Sequence, residues 1–554
     1  MASVSGETKL LLASGISGMA ALTYEVVWTR LMVLIFGSTV YAVSTILTAF
    51  MAGLALGSYY IGKRLSRYKN LYLGFGLVEL GIGLYGLVFP QILPVMQYPY
   101  VILFRLLGSS FILFQAAQVL IYLLLLIIPT FLMGATFPLL SKIIVTDVAS
   151  SGKKIGFLYS SNSIGAMVGP IISGFMLIPI IGIRYTSLIA SILNIAVGLI
   201  FLVYSAKSKK ALAAIPISFL ALSAGFVAYQ SPLRMVNFYY IPIFKDVSEI
   251  DEFLKDQQTM FYKEGLYSTV EVMKIGETLS LKIDGRVDAS TSLRDMSTQH
   301  LLAYLPTLLH KNPKKVLNVG LGGGFTVGAL KNLGVQIDTV EIDEAVVEAN
   351  EKIYKVYNND ALNYDKLNLY ITDARNFLLT TEQKWDVIIS EPSNPVTSSV
   401  NHLFTKEFFA LAKKHLNDGG IYAQWFPNDL TVAERDYRII LRTLRTEFPY
   451  VSIWDSSYGK RLSNTIMIAS LQPHSTSIDA FPNTAVASDM VRIGITSPAE
   501  LDSRMVCDPD GAAKFGEDAD TMNIDDLPII EFLAPRSFFG EGKKLDTMCP
   551  SVGR

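Results

Sequence analysis

A glycine-rich turn and two acidic residues downstream of it are the clearest chemical feature of this 554-residue chain. Gly320, Gly322 and Gly324 follow one apolar run, and Glu341 and Asp343 lie at the end of the next. Glycine lets a backbone approach a ligand where a side chain would collide, and an acidic residue after the second strand can accept hydrogen bonds from ribose hydroxyls. We therefore expect this stretch to bind an adenosine-type nucleoside.

The segments around the turn predict half of a doubly wound α/β fold. Residues 316–319 are expected to form a buried strand, 326–332 a helix and 337–342 a second strand. The turn, GLGGGF, lacks the last glycine of the dinucleotide fingerprint G-x-G-x-x-G. With VEID following about twenty residues later, the pattern resembles the S-adenosylmethionine-binding fold more than a nicotinamide-binding one.

Hydrophobicity and charge divide the chain into two parts. Hydrophobic residues make up 51% of the chain and the mean hydropathy is +0.38, which is too apolar for an ordinary soluble protein. Residues 1–230 contain 14 of the 47 Lys and Arg residues and 4 of the 48 Asp and Glu residues, so the remainder contains 33 and 44. We predict that a lipid bilayer surrounds the first part and water the second.

Seven apolar runs in the first part are long enough to cross a bilayer. They cover residues 9–28, 38–62, 71–94, 111–134, 156–179, 184–204 and 211–230. We therefore expect a multi-pass protein of the cell membrane. The first run has no small-residue cleavage site before further membrane sequence, so a removed signal peptide is not expected.

Basic residues cluster in alternate connections between the predicted spans. These clusters are Lys63, Arg64, Arg67 and Lys69; Lys142, Lys153 and Lys154; and Lys207, Lys209 and Lys210. The positive-inside rule places these loops and the amino terminus in the cytoplasm. Seven spans then leave everything after residue 230 outside the cytoplasm, although S-adenosyl nucleosides are made in the cytosol. Two alternatives stay open. Either one of the seven apolar runs does not cross the bilayer, or the membrane part transfers substrate to the other side of the membrane.

The sequence predicts four consecutive regions. They are a transmembrane domain over 1–230, a linker and β-rich subdomain over 231–290, a catalytic domain over 291–540 and a tail over 541–554. Short alternating segments separated by glycines indicate β-hairpins in the second region. In the third, polar residues follow the carboxyl ends of several predicted strands, where open α/β sheets bind ligands.

Other sequence features exclude several classes of site. Cys507 and Cys549, the only cysteines, could pair, but so far apart in sequence they make neither a metal site nor a disulfide framework, and we interpret them as incidental. The five histidines lack the spacing of metal ligands, so no metal is expected. No basic stripe interleaved with aromatic residues indicates a nucleic-acid partner.

Several motifs in sequence order resemble the polyamine aminopropyltransferases, or spermidine synthases. The resemblance covers about residues 264–536 and rests on LKIDGRVD, VLNVGLGGG, VEIDEAVVE, ITDARNF, DVIISEPSNP, LFTKEFF and DGGIYAQW. The apolar amino-terminal part, with EPSNP and NIDDLPIIEF, resembles the membrane-fused branch of that family. The resemblance implies an all-α multi-pass membrane domain, followed by a Rossmann-like S-adenosylmethionine-dependent-transferase fold with a small β-rich subdomain.

The resemblance implies roles for individual residues. Glu341 matches the acidic residue that holds the ribose hydroxyls, with Gly320, Gly322, Gly324 and Asp343 in the same donor site. Asp373 and Ala374 match the acidic and small pair beside the adenine. Glu391 occupies the position of the aspartate that accepts a proton from the attacking amine, which has no free lone pair until it loses that proton.

The sequence departs from the family at positions that select the amines. Gly323 replaces the aspartate of the glycine turn that fixes the donor's free amine, and Asn394 replaces a second carboxylate after the fourth core strand. Asp288 aligns with the family's glutamine, and Gln299 lies near its tyrosine. Asp288, Gln299 and Asn394 are therefore the candidate acceptor-binding residues, with their amine specificity altered.

Three functions follow as hypotheses. The first is transfer of an aminopropyl group from decarboxylated S-adenosylmethionine to putrescine or a related polyamine, with no permanently bound cofactor. The second is transfer of a methyl or aminocarboxypropyl group from S-adenosylmethionine to an amine or lipid. The third is a membrane transporter whose soluble domain senses a nucleoside or polyamine. The resemblance also implies a homodimer or homotetramer.

Overall fold

The chain forms two compact units. The computed structural model describes residues 6–205, 209–230, 235–398, 400–427, 432–459, 462–542, 544 and 548–549. One unit consists of Met1–Gly37 and Tyr41–Lys255, and the other of Ser38–Val40 and Asp256–Arg554. The first unit is helical, and the second contains every strand of the described residues.

Long apolar helices build the first unit. They are α1 Gly6–Phe36, α2 Val40–Arg64, α3 Leu71–Leu107, α4 Phe111–Ile144, α5 Ser151–Ile172, α6 Ile178–Tyr204, α7 Lys209–Gln230 and the short α8 Ser248–Lys255. A π-helical turn, Ser173–Leu177, joins α5 to α6, and 3-10 turns cover Leu65–Arg67 and Phe238–Ile243.

Five helical runs among the described residues are long and apolar enough to cross a membrane, judged by length and composition. They are Gly6–Phe36, Val40–Arg67, Leu71–Leu107, Phe111–Ile144 and Ser151–Tyr204. The last has 54 residues and holds two of the seven predicted spans, and the seventh lies in α7, whose apolar part Leu220–Tyr229 is shorter. The count of seven stays a prediction.

The run from Ser151 to Tyr204 reverses direction. Gly165 packs on Gly15 and Gly169 on Met19, so α5 runs parallel to α1. The contacts of α6 with α3 run the opposite way, because Gly76 meets Leu202 and Gly86 meets Ser191. Ser17 contacts Glu79 and Tyr24 lies against Gly86, so α1 and α3 are parallel. It follows that α5 and the main part of α6 are antiparallel, and the chain turns near the start of α6, where the backbone of Gly182 is non-helical (φ 87°, ψ 165°).

Small residues allow the helices to pack closely. A Cβ at Gly165 would lie 1.8 Å from the carbonyl oxygen of Gly15, and one at Gly134 would lie 2.1 Å from that of Leu54. Real side chains do not tolerate such distances, so these positions require glycine. Close backbone approach of this kind is typical of helices that associate within a bilayer.

The second unit starts with a four-stranded antiparallel sheet. Its strands follow one another in the order β1 Gln257–Glu264, β2 Thr269–Ile275, β3 Thr278–Ile283 and β4 Arg286–Ser290. Short connections join them as hairpins, as the alternating pattern of the sequence predicts. Helix α9, Leu293–His310, leads from this sheet into the α/β core.

An eight-stranded sheet forms the α/β core. Its strands are β5 Lys315–Val319, β6 Gln336–Glu341, β7 Leu367–Ile371, β8 Trp385–Ser390, β9 Leu416–Pro427, β10 Tyr450–Asp455, β11 Asn464–Ser470 and β12 Met505–Cys507. The helices are α10 Phe325–Lys331, α11 Glu344–Lys352, α12 Ala374–Thr380, α13 Lys406–Lys414, α14 Glu434–Glu447, α15 Thr484–Arg492, α16 Pro498–Asp502, α17 Pro509–Glu517 and α18 Ile529–Ser537. This arrangement confirms the predicted α/β class.

The order of the strands in the sheet indicates where a ligand crevice is expected, namely where the chain reverses its direction across the sheet. The spatial order is β12-β10-β11-β9-β8-β5-β6-β7, with β5 to β9 parallel and the remaining pairs antiparallel. The chain proceeds outward from β5 to β7 and then returns to place β8 on the other side of β5. Ligands of open α/β sheets bind at such a reversal, beyond the carboxyl ends of the strands.

Cys507 and Cys549 form a disulfide bond, with their Cα atoms 5.6 Å apart. The interpretation of these cysteines as incidental is therefore wrong. Cys507 ends the edge strand β12, and Cys549 belongs to the predicted tail. The 42-residue separation in sequence did not favour the pairing, which depends on how the second unit folds.

Loss of the disulfide is expected to destabilise the second unit. The bond closes a loop of 42 residues, and restricting the unfolded chain in this way contributes about 4 kcal/mol in the loop-entropy model. We expect a Cys507→Ser/Cys549→Ser variant of the full chain in detergent to unfold at lower guanidinium concentration. A reducing agent should produce the same shift in the parent protein and none in the variant. Equal midpoints for the oxidised parent and the variant contradict the assignment.

Candidate active site

The site lies where β5 and β8 end beside each other. The amide of Glu391, the residue after β8, donates to the carbonyl oxygen of Val319 at 3.1 Å. A Cβ on Gly320 would lie 2.8 Å from the carbonyl oxygen of Glu391, so the turn after β5 needs glycine at this point. The two loops that carry the main candidate residues are thus in direct backbone contact.

Two asparagines hold the glycine turn. Asn350 Nδ2 donates to the carbonyl oxygen of Gly322 at 2.7 Å, and Asn358 Nδ2 donates to that of Gly323 at 3.0 Å. Gly324 has a φ of 72°, and a Cβ there would lie 2.6 Å from both asparagine side chains. These amides fix the turn before any ligand binds. Sequence reasoning missed both, because they lie in a helix and a loop outside the motif.

Glu341 ends β6 beside the glycine turn. Its Oε2 accepts from the amide of Leu321 and its Oε1 from the amide of Asp343, both at 3.0 Å. The residue is 8% exposed, and burial raises the pKa of its carboxyl although the backbone amides partly offset the effect. Each oxygen keeps a lone pair for a further donor, which suits the predicted binding of ribose hydroxyls.

Asp343 caps α11 and ties it to the four-stranded sheet. Its Oδ1 accepts from the amide of Ala345 at 2.9 Å. Its Oδ2 accepts from the amide of Ser268 at 3.1 Å and from the Ser268 hydroxyl at 2.7 Å. Through these contacts the carboxylate joins the start of α11 to the connection between β1 and β2. Direct contact of Asp343 with a donor stays a prediction.

Asp373 and Ala374 follow β7, next to Glu341. The amide of Thr372 donates to the carbonyl oxygen of Glu341 at 2.9 Å. Asp373 Oδ1 accepts from the amide of Asn376 at 2.9 Å and so caps α12, while His402 Nε2 lies 3.8 Å from Oδ2. Interaction with His402 lowers the pKa of Asp373, so the residue is a carboxylate at neutral pH. Ala374 is buried beside it at the start of α12.

Glu391 has an unusual electrostatic environment. Burial, together with the nearby carboxyls of Asp295 and Asp288, raises the pKa of its carboxyl to about 7, although the Thr326 hydroxyl opposes the rise. Thr326 Oγ1 donates to Glu391 Oε2 at 2.9 Å and lies 3.3 Å from the carbonyl oxygen of Gln299. Glu391 therefore exchanges its proton near neutral pH. Thr326 was not predicted, although its place just after the glycine turn points it toward the loop beyond β8.

Three carboxyl groups share this part of the site. Asp288 accepts from the Ser393 hydroxyl, and Ser290 Oγ donates to Asp295 Oδ2 at 2.5 Å. Burial raises the pKa of Asp288 and of Asp295, and Arg286 partly offsets the rise at Asp288. With Glu391 these groups make the site strongly acidic. Asp288 is a predicted acceptor-binding residue, whereas Ser393 was missed.

Gln299 and Asn394, the other predicted acceptor-binding residues, are both buried. Gln299 Oε1 has no hydrogen bond within the described part of the chain. Its backbone carbonyl faces Thr326, so the residue lies beside Glu391. Asn394 Oδ1 accepts from the amide of Val396 at 3.0 Å and so shapes the loop after β8. Among the described residues, no group of three or more His, Cys, Asp or Glu is arranged to hold a metal ion.

A family model supports the sequence resemblance. The spermine/spermidine synthase domain matches residues 295–479, a range that includes the glycine turn, Glu341, Asp373 and Glu391. This range is similar to spermine/spermidine synthase domains. The four-stranded sheet that carries Asp288 precedes the matched synthase domain in sequence.

Relatives extend the similarity beyond the synthase domain. The chain is 26% identical over 424 residues to the polyamine aminopropyltransferase of Leptospira interrogans, covering 75% of this chain and 78% of that protein. Polyamine aminopropyltransferase 2 of Aquifex aeolicus is 23% identical over 426 residues, covering 76% and 79%. Residues 231–554 are 324 of the 554, about 58%, so both alignments extend into the helical unit.

Other similarities cover smaller parts of this chain. The polyamine aminopropyltransferase of Methanocaldococcus jannaschii is 40% identical over 137 residues, which is 24% of this chain and 46% of that protein. The spermidine synthase structure from Thermotoga maritima is 20% identical with a TM-score of 0.38, covering 47% of this chain and 88% of that one. A probable spermidine synthase from Corynebacterium glutamicum is 17% identical with a TM-score of 0.35, covering 48% and 96%.

The raised pKa of Glu391 predicts a gain in stability on its neutralisation. Between pH 4.5, the ordinary value, and about pH 7, the folded state keeps a proton that the unfolded state has lost, so this group makes stability fall as pH rises. We expect Glu391→Gln to be more stable than the parent by about 1–2 kcal/mol at pH 8, after allowance for partial solvent contact. Thermal unfolding should show the difference shrinking toward pH 4.5, and a difference independent of pH contradicts the assignment.

Proposed function

We propose that this chain is a polyamine aminopropyltransferase that uses decarboxylated S-adenosylmethionine and an amine such as putrescine. The observation that carries the proposal is Glu391, a carboxyl group with a pKa of about 7 beside the glycine turn. A general base is most effective when its pKa lies near the working pH. The names of the relatives and the matched domain agree with this reaction.

The reaction is a nucleophilic substitution at the carbon attached to the donor's sulfonium. Glu391 takes a proton from the acceptor ammonium, and the freed lone pair on nitrogen forms the new C–N bond. The C–S bond breaks, its electron pair neutralises the sulfonium, and methylthioadenosine leaves. Glu391 Oε1 has no hydrogen bond within the described part of the chain, whereas Oε2 accepts from Thr326. We assign proton removal to Oε1 and orientation of the carboxylate to Thr326.

The donor is proposed to bind across the adjacent strand ends. In this arrangement Glu341 accepts from the ribose hydroxyls, and Asp373 with Ala374 lies beside the adenine. The glycine turn of Gly320, Gly322 and Gly324 leaves room for the nucleoside. Holding the donor's carbon in line with the amine supplies much of the rate acceleration in a displacement of this kind.

The acidity of the site favours the decarboxylated donor. Intact S-adenosylmethionine would bring a fourth carboxylate near Asp288, Asp295 and Glu391, and like charges in a partly buried site repel each other strongly. Decarboxylated S-adenosylmethionine and a polyamine bring ammonium groups, which these carboxylates attract. Gln299 and Asn394 are proposed to contact the acceptor from either side of Glu391.

A second function is favoured by one observation. Gly323 places no carboxylate in the turn, and a Cβ there would lie 2.5 Å from the Phe325 ring. An aspartate at this position would therefore require Phe325 to move, and the donor's amine lacks the partner that the family resemblance implies. Transfer of a methyl or aminocarboxypropyl group from intact S-adenosylmethionine to an amine or lipid is the alternative reaction.

The helical unit is proposed to span the cell membrane. Five apolar runs of sufficient length and close packing at glycines support this assignment. The predicted seven traverses agree with the reversal between α5 and α6. In this arrangement the synthase domain is attached to the bilayer by its own chain.

Glu391→Gln is expected to abolish turnover without abolishing donor binding. The amide keeps the size of the side chain and cannot accept the proton, so methylthioadenosine formation from decarboxylated S-adenosylmethionine and putrescine should fall about 10²–10⁴-fold. In the parent protein, kcat/KM should rise with pH through about 7 as Glu391 loses its proton. The exposed Glu382 provides a matched control, because Glu382→Gln should leave both turnover and the pH profile unchanged. Full activity of Glu391→Gln would remove the basis of the proposal.

The donor preference should depend on Asp288. Calorimetry on the detergent-solubilised protein should show tighter binding of decarboxylated S-adenosylmethionine than of the intact compound. Asp288→Asn removes one negative charge and should reduce this preference several-fold, since about 1 kcal/mol corresponds to a factor of about five. The exposed Asp365 gives the control Asp365→Asn, which should keep the preference. Tighter binding of intact S-adenosylmethionine to the parent protein would support the alternative reaction instead.

A further inference from the structure

The NIDDLPIIEF segment, residues 523–532, lies against the loop that follows β8. Ser398 Oγ of that loop donates to Glu531 Oε1 at 2.9 Å. Asn523 Nδ2 donates to the carbonyl oxygen of Phe404, near the end of the loop, at 3.0 Å. The segment therefore holds, at two points, the loop that carries the proposed base.

Asn523 packs this segment into the second unit. It is fully buried, and its amide donates to Thr443 Oγ1 of α14 at 2.9 Å. Its carbonyl oxygen accepts from the amide of Lys406 at the start of α13 at 3.0 Å, and its Oδ1 accepts from the amide of Ile530 in α18 at 3.3 Å. Attachment of the segment to these three helices thus uses neutral groups and needs no charged side chain.

Asp525 adds a charged contact to the segment. The guanidinium of Arg375 pairs with its carboxylate at two points, with Nη1 donating to Oδ1 at 2.8 Å and Nη2 donating to Oδ2. Thr405 Oγ1 also donates to Oδ1, at 2.7 Å. Burial acts to raise the pKa of Asp525, but the hydrogen bonds from Arg375 and Thr405 lower it below its ordinary value, so the group is ionised at neutral pH. A two-point pair of this kind fixes direction as well as distance.

Both partners of Asp525 also lie against the backbone of His402. Arg375 Nη1 donates to the carbonyl oxygen of His402 at 3.3 Å, and Thr405 Oγ1 lies 3.1 Å from the same oxygen. Arg375 belongs to the first turn of α12, whereas His402 belongs to the short turn Asn401–Phe404 near the end of the loop after β8. The Asp525 carboxylate therefore joins the start of α12 to the end of that loop.

His402 carries this connection to Asp373. Its Nε2 lies 3.8 Å from Asp373 Oδ2, and the interaction lowers the pKa of Asp373. Oδ1 of Asp373 accepts from the amide of Asn376 and so caps α12. Oδ2 is thus the oxygen whose surroundings depend on where His402 lies. A carboxylate oxygen can accept a hydrogen bond from the exocyclic amine of an adenine.

Stability alone does not account for the charged contact. The side chains of Arg375 and Asp525 are 22% and 34% exposed, and partly exposed ion pairs contribute little to folding. Asp526, the next residue, is also exposed, yet its side chain forms no hydrogen bond or ion pair with the described residues. The two neighbouring aspartates have the same charge, and Asp525 alone of the two reaches the groups around His402.

We propose that the Arg375–Asp525 ion pair is a positioning pair for the donor's nucleoside, because it holds His402 against Asp373 and so fixes the carboxylate that faces the adenine. The inference rests on the proposed function, which places Asp373 beside the adenine. In this arrangement neither member of the pair touches donor or acceptor. The adenine lies away from the reacting carbon, so its contacts stabilise ground state and transition state equally. Their loss raises KM for the donor and leaves kcat unchanged.

The test combines steady-state kinetics of the full chain in detergent with calorimetric binding of methylthioadenosine. Asp525→Asn and Arg375→Gln should each raise the KM for decarboxylated S-adenosylmethionine and the Kd of methylthioadenosine about five- to ten-fold. The KM for putrescine and kcat should stay within about two-fold of the parent values. Because both substitutions remove the same contact, the double variant should bind the donor no more weakly than either single variant.

Conservative and neighbouring substitutions separate positioning from a general structural effect. Asp525→Glu keeps the charge and should recover part of the donor affinity. Asp526→Asn removes the same charge one residue away and should change neither KM. Thermal unfolding and the stoichiometry of methylthioadenosine binding establish that each variant is folded. An equal rise in both KM values, a fall in kcat, or a loss of donor affinity matched by Asp526→Asn overturns the positioning role.

The same measurements distinguish failure of this inference from failure of the proposed reaction. A parent protein that binds methylthioadenosine but forms none from decarboxylated S-adenosylmethionine contradicts the proposed reaction, and the comparison of Kd values still tests the ion pair. An active parent protein whose Asp525→Asn and Arg375→Gln variants keep the donor KM overturns the positioning role alone. A parent protein that does not bind methylthioadenosine overturns both.

Discussion

Removal of carboxyl groups from water is the physical constraint on which the candidate active site depends. At Glu391, burial beside two further carboxyls raises the pKa to about 7, and the Thr326 hydroxyl offsets only part of that rise. The folded chain tolerates this cost because the loops after β5 and β8 are joined by backbone contacts. A site held in this way keeps three carboxyl groups close together, and Arg286 offsets only part of the effect at Asp288. In the proposed reaction, stability and proton transfer compete at the carboxyl of Glu391.

Local patterns predicted much of the α/β core. Gly320 and Glu341 follow strands whose apolar runs are visible in the sequence, so their positions at the sheet edge could be inferred. Residues that hold those groups could not, because Thr326, Asn350 and Asn358 act across elements that only the folded chain brings together. The position of a residue within a sequence motif also does not determine which atoms its side chain contacts. Asp343 and Asn394 were selected as ligand-binding residues, and their side chains cap a helix and shape a loop.

The helical unit shows where hydrophobicity alone gives too little information. Apolar runs at 156–179 and 184–204 predicted a break within the helical run Ser151–Tyr204, and the backbone of Gly182 is non-helical there. The order of contacts with α1 and α3 adds that the two parts are antiparallel. Hydrophobicity also gave no means of distinguishing Glu79 from a residue that faces lipid, because its partners Ser17 and Asn194 come from helices far apart in the sequence.

The disulfide between β12 and the chain end has a consequence for the compartment in which the second unit works. Such bonds persist in oxidising surroundings and are rare in the cytosol, where thiols are kept reduced. A covalent bond between Cys507 and Cys549 is therefore in agreement with seven traverses, which leave the second unit outside the cytoplasm. With seven traverses, an S-adenosyl donor made in the cytosol would have to cross the membrane before the second unit could use it.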